Sequence, residues 1–270
     1  MPARHWSFEN GELAALLGAA GLLSPTRELP WLVRFSEAAV EFVVAPPADL
    51  SADDPTGREA RLACGAATFG LRMALAVRGT PAETTYVEGA GTVRLTPATP
   101  RPPSAEERRL HAADGGAPAA GISTGVRRDL ARAARAEGAW LVVLTGPRAV
   151  HGVTSMVRLA DEPPECTEAF HKEVLDWLGG RDVPLGVLGV PGNGPEDQLR
   201  AGAALHRVRL SAAAAGLPLS VFSAGIRATG VRERLRVALG RYASPQVVLG
   251  FCTAGTTCCD DAPVGGRTGL

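Results

Sequence analysis

The feature that most constrains this chain is a stretch written twice. Residues 64–79 read CGAATFGLRMALAVRG and residues 201–216 read AGAALHRVRLSAAAAG. Gly65 matches Gly202, Ala66 matches Ala203, Ala67 matches Ala204, Arg72 matches Arg209 and Gly79 matches Gly216, all at an offset of 202 − 65 = 137 in 270 residues. Alanine is abundant, so composition alone would make two such helices look alike. The shared arginine and glycines at one offset, close to half the chain, favour a repeat. Each half then contributes one small-residue helix to a pseudo-symmetric centre, and one chain imitates a homodimer.

The remaining pattern supplies the elements around these helices. A first helix is expected over 11–22, ended by Ser24-Pro25, and a hairpin over 31–45, where β-branched and aromatic residues alternate with Arg34, Glu37 and Glu41. The long helix after Asp54-Pro55 stops at Gly79. Residues 80–122, rich in Pro, Gly, Thr and Ala, carry one expected strand (92–95) and one charged helix (105–113). An arginine-rich helix over 126–137, a strand over 139–145 and a helix over 166–179 follow. Then come a strand with a glycine-rich turn (185–195), the second repeat helix (196–215), a strand (219–222), a short helix (230–239) and a last strand (246–251). The organisation read from this is a first half (1–96), a connector (97–124), a second half (125–254) and a flexible tail (255–270).

Composition bounds the partners. The 28 basic and 28 acidic residues cancel, giving no field to gather nucleic acid or an anionic membrane. The N-terminus has Glu9 and Glu12 before a short apolar run, unlike a signal peptide, and the apolar stretch 210–226 is broken by Gly216 and Pro218. A cytoplasmic protein is expected, with small-molecule or peptide-like partners. The five cysteines (Cys64, Cys166, Cys252, Cys258, Cys259) match no zinc spacing and are expected as reduced thiols, so no metal site is assigned. No nucleophile elbow and no paired zinc histidines occur.

The 64–79 helix, the Asp54-Pro55-Thr56-Gly57-Arg58-Glu59 approach to it, the 200–217 helix and the Ser244-Pro245-Gln246 strand resemble the Acg family of actinobacterial nitroreductase-like proteins. Near the start, Ser24, Pro30, Trp31 and Phe35 match that family's pattern, while its His and Asn fall on Thr26 and Arg27 and its Gln on Leu29. The resemblance covers most of the chain from Glu12 to about Gly255. It implies an α+β, nitroreductase-like fold of two related halves fused into one pseudo-dimer, with FMN held where they meet.

The implied activity is FMN-dependent oxidoreduction fed by a nicotinamide donor, here tailoring a bulky substrate in bacterial secondary metabolism. Ser24, Arg27, Trp31, Gly202 and Arg232 are the expected cofactor-binding residues; Arg27 would replace a lost contact, and Arg232 would meet an anion near a helix start. His206, at the centre of the second repeat helix, and Glu28 are the expected acid–base residues. Two other readings are carried: a flavin-free descendant catalysing a cyclisation or elimination in the former cavity, and a non-catalytic ligand-binding protein.

Overall fold

The structure, a computed structural model, describes residues 6, 29–36, 38–45, 54–89, 91–113, 119–146, 152, 184–222, 226–227, 229–240 and 243–254. The helices expected over 11–22 and 166–179, the tail 255–270, and Ser24, Arg27 and Glu28 lie outside the described residues. The chain divides into two compact units, one of Met1–Ala113 with Gly194–Arg207 and one of Asp114–Asn193 with Val208–Leu270.

In the first unit, β1 (Trp31–Ser36) and β2 (Ala39–Val44) form the expected antiparallel hairpin, with Trp31 opposite Val44 and Ser36 opposite Ala39. The Ala39 N–H donates to Ser36 Oγ at 3.1 Å and closes the turn. The helix α1 (Arg58–Val77) starts where the Ala60 N–H donates to Asp54 Oδ2 at 2.9 Å. Two strands follow where one was expected: β3 (Ala82–Val87) pairs with β4 (Thr92–Pro97), and β4 also pairs with β2. The Thr84-Thr85-Tyr86 core of β3 has the β-branched and aromatic residues that suit a pleated surface, so pairing overrides the loop-like composition around it.

The sheet order is β1-β2-β4-β3. One face buries Val40, Phe42, Val93 and Leu95, and α1 lays Cys64, Leu71 and Leu75 into the same core. The other face is wet, where Arg94 pairs with Glu41 at 2.6 Å. By length and composition α1 could cross a membrane, but most of it is buried within the protein. The short α2 (Ala105–His111) is capped at both donors by Ser104 and Glu107.

In the second unit, α3 (Thr124–Ala136) is capped by Ser123 and precedes β5 (Trp140–Leu144). With β6 (Leu185–Val190), β7 (Leu219–Phe222) and β8 (Ser244–Phe251) it forms an antiparallel sheet of order β5-β6-β8-β7. Trp140 lies over Gly189, where an added Cβ would stand 2.2 Å from the indole, and the register shifts at this point. α5 (Thr229–Ala238) runs between β7 and β8 and buries Val231 and Leu235. Cys252 is disulfide-bonded, contrary to the expectation of reduced thiols, and its partner lies outside the described residues.

The helix α4 (Pro195–Ala213) begins in the first unit and ends in the second. α1 and α4 finish alike. Gly79 and Gly216 both have positive φ, 82° and 68°. The Gly79 N–H donates to Ala76 O and the Thr80 N–H to Leu75 O, at 3.0 and 3.1 Å; Gly216 to Ala213 O and Leu217 to Ala212 O repeat this at 2.9 and 2.9 Å.

Candidate functional site

The chemistry-bearing side chains of the first unit gather where α1 meets the first part of α4. Small residues permit that meeting. A Cβ on Gly65 would lie 1.8 Å from Leu199 O and 3.1 Å from Ala203 N; one on Gly202 would lie 1.9 Å from Leu62 O and 3.0 Å from Ala66 N. The two backbones are therefore in direct contact, each glycine against the other helix.

Polar and aromatic groups flank this point on both sides. Arg61 Nε donates to Gln198 Oε1 at 2.6 Å, and Arg61 Nη2 donates to Thr56 O at 2.6 Å. Burial lowers the pKa of the Arg61 guanidinium, and nearby Asp54 opposes that shift. Two turns on, the Phe69 and His206 rings stand 5.6 Å apart, tilted by 41°. The Arg72 guanidinium covers Phe69 at 4.9 Å and donates to Thr84 Oγ1 at 3.2 Å. Arg200 covers the Tyr86 ring of β3 at 5.0 Å, and Arg207 pairs with Glu106 at 2.8 Å. Cys64, beneath this layer, is fully buried, and desolvation pushes its thiol up to about 12 against the opposing Thr68 hydrogen bond.

Of the expected site residues, His206 and Gly202 come together here. His206 is half-buried, with its ring tilted against Phe69. Gly202 is occupied by the Leu62 carbonyl and leaves no room for a cofactor. Trp31 sits in the core of the same unit with its indole N–H unpartnered. Arg232 belongs to the second unit, where its guanidinium donates to Ile226 O at 2.8 Å, to Arg227 O and to Thr229 Oγ1, bracketing the turn before α5. Ser24, Arg27 and Glu28 lie outside the described residues. The sequence alone does not single out Phe69 as a contact of His206, or Arg72 as a contact of Phe69, although the repeat places Phe69 opposite His206.

FMN needs donors for its phosphate and open space beside the ring. The described members of the expected set do not fit it: Gly202 is filled by backbone and Arg232 is committed to its own turn. Of the described members of that set, Trp31 keeps an unused donor. Among the described residues there is no group of three or more His, Cys, Asp or Glu placed to hold a metal.

No protein-family model matches the chain, and no curated protein matches it. Among solved structures, a nitroreductase with bound FMN from Desulfitobacterium hafniense is similar at 11% identity and a TM-score of 0.39, over 59% of this chain and 95% of the other. An FMN-dependent nitroreductase from Mycobacterium smegmatis, in complex with NADPH, is similar at 14% identity and a TM-score of 0.37, over 56% of this chain and 88% of the other. An FMN- and NADPH-dependent nitroreductase from a Sphingopyxis strain is similar at 16% identity and a TM-score of 0.34, over 60% and 91%. With identities and TM-scores this low, the likenesses assign neither ligand nor activity to this chain.

Proposed function

We propose that this chain is a nitroreductase-like protein made of two related halves and acts as an FMN-dependent oxidoreductase on a bulky small molecule. The observation that carries the two-half reading is the reciprocal glycine contact. Gly65 meets Leu199 and Gly202 meets Leu62, and both 202 − 65 and 199 − 62 equal 137. The same offset relates Arg61 to Gln198 and Phe69 to His206. It also relates the two glycine helix ends and the starts of β3 and β7. The strand orders β1-β2-β4-β3 and β5-β6-β8-β7 agree under one renumbering.

The redox chemistry rests on the sequence resemblance to the Acg family. FMN, if bound, would supply two-electron redox chemistry. His206 is the residue proposed to hold or move a proton, its imidazole fixed against Phe69. A flavin-free descendant running a non-redox step is the second reading, favoured by the occupation of Gly202 and the commitment of Arg232.

The test is the visible spectrum of the purified protein, with and without added FMN, followed by heat release of any ligand. A stoichiometric flavin spectrum supports the redox reading, and nicotinamide oxidation is then assayed. A colourless protein that ignores added FMN sinks it and leaves the flavin-free reading.

A further inference from the structure

β1 is an edge strand: in the order β1-β2-β4-β3 it pairs with β2 alone among the described residues. The Ala45 N–H donates to Pro30 O at 3.0 Å, which fixes the phase of the hairpin. Main-chain groups alternate along an antiparallel strand, so Leu32, Arg34 and Ser36 turn theirs toward β2, and Trp31, Val33 and Phe35 turn theirs to the outer edge.

Folded proteins guard such an edge with prolines, bulges or clustered charge. β1 contains no proline, its six pairs with β2 run without a register shift, and its one charge is Arg34. It is also apolar where it is open. Leu32 is 63% and Phe35 44% exposed, two of the three exposed large hydrophobic side chains among the described residues. The opposite edge, β3, exposes Glu83 and Thr85 instead.

We infer that β1 is a self-association edge, where a second copy of this chain pairs antiparallel about a two-fold axis at Val33. The strand's own pattern selects that occupant. In this register Val33 meets Val33 and Trp31 meets Phe35, so the outward main-chain groups face one another and each exposed Phe35 lies beside a Trp31. On the other face Leu32 meets Arg34, and the two arginines stay apart. Centring on Arg34 would set guanidinium against guanidinium, and centring on Leu32 would put Phe35 opposite Leu29, beyond the strand. An edge this short gives a weak, reversible dimer, with a dissociation constant on the order of micromolar.

Sedimentation equilibrium of the full chain over a concentration series should show monomer passing to dimer. Val33→Pro removes an N–H that β1 does not use within its own sheet, a place where an edge strand accepts proline, and should weaken the dimer by roughly tenfold or more. Leu32→Glu and Leu32→Arg both remove the exposed leucine, but the first sets a carboxylate and the second a guanidinium against Arg34 of the other copy. Leu32→Glu should therefore dimerise roughly tenfold more tightly than Leu32→Arg. Equal weakening by the two would mean an apolar contact without this register, and the inference falls. It falls too if the wild type stays monomeric throughout, or if folded Val33→Pro dimerises as wild type does; were that variant not to fold, the two changes at exposed Leu32 still decide. The readout is mass alone, so the outcome is separate from the redox reading.

Discussion

Gly65 and Gly202 each rest on a carbonyl of the opposite helix, and the two contacts have nearly the same length: an added Cβ would meet Leu199 O at 1.8 Å or Leu62 O at 1.9 Å. No rotamer relieves such a clash, because both sides are backbone.

Gly65→Ala and Gly202→Ala should therefore each destabilise the protein by about 3 kcal/mol, the overpacking outweighing the ~1 kcal/mol that alanine gains over glycine in a helix. Urea unfolding checks this. Two losses of similar size are expected, since each change forces the same pair of backbones apart.

The Arg61–Gln198 pair gives a test of equivalence between the halves. Arg61→Gln should cost about 1 kcal/mol, the net worth of a partly screened charge-assisted bond. Gln198→Arg should cost about as much or more by placing two guanidinium groups together. Exchanging both residues should restore stability to within ~0.5 kcal/mol of wild type if the positions are related by a two-fold. An exchange no better than the sum of the single changes would mean that the two environments differ.

Acid should weaken the capping of α2. Hydrogen bonding from Arg101 lowers the Glu107 pKa from 4.5 to about 2. The folded value lies below the unfolded one, so this contribution is present above pH 4.5 and is lost as pH falls toward 2. Tm measured between pH 6 and pH 2 should fall less steeply in Glu107→Gln, whose side chain does not titrate.

Cys64 should resist alkylation in the native state. Its thiol is fully buried and pushed up to about 12, so thiolate is scarce at pH 8 and the reagent has no path to it. Labelling followed by peptide mass spectrometry should show modification of Cys64 only at the rate of unfolding, and rapid modification in denaturant.

The paired helices and most strands were legible because their signals are local: small residues at one offset, a glycine after each helix, alternating β-branched residues. β3 was not, because Ala82–Val87 lies among Pro, Gly and Thr and only its pairing with β4 makes it a strand. His206 was legible as unusual, yet its partner Phe69 emerges only when the repeat is applied across the helix crossing. Arg232 reads as an anion contact by its place at a helix start, and the fold uses it instead to hold three oxygens of its own turn.

The first unit takes in Gly194–Arg207 although its preceding segment ends at Ala113. A ribosome must therefore add 207 − 113 = 94 residues after that segment is made before the unit has all its parts. At about 5–20 residues per second, this takes roughly 5–20 s. During that interval the nascent α1 carries a glycine-centred seam with nothing of its own to close it, and a chaperone that shields apolar helices would have its longest engagement with this chain there.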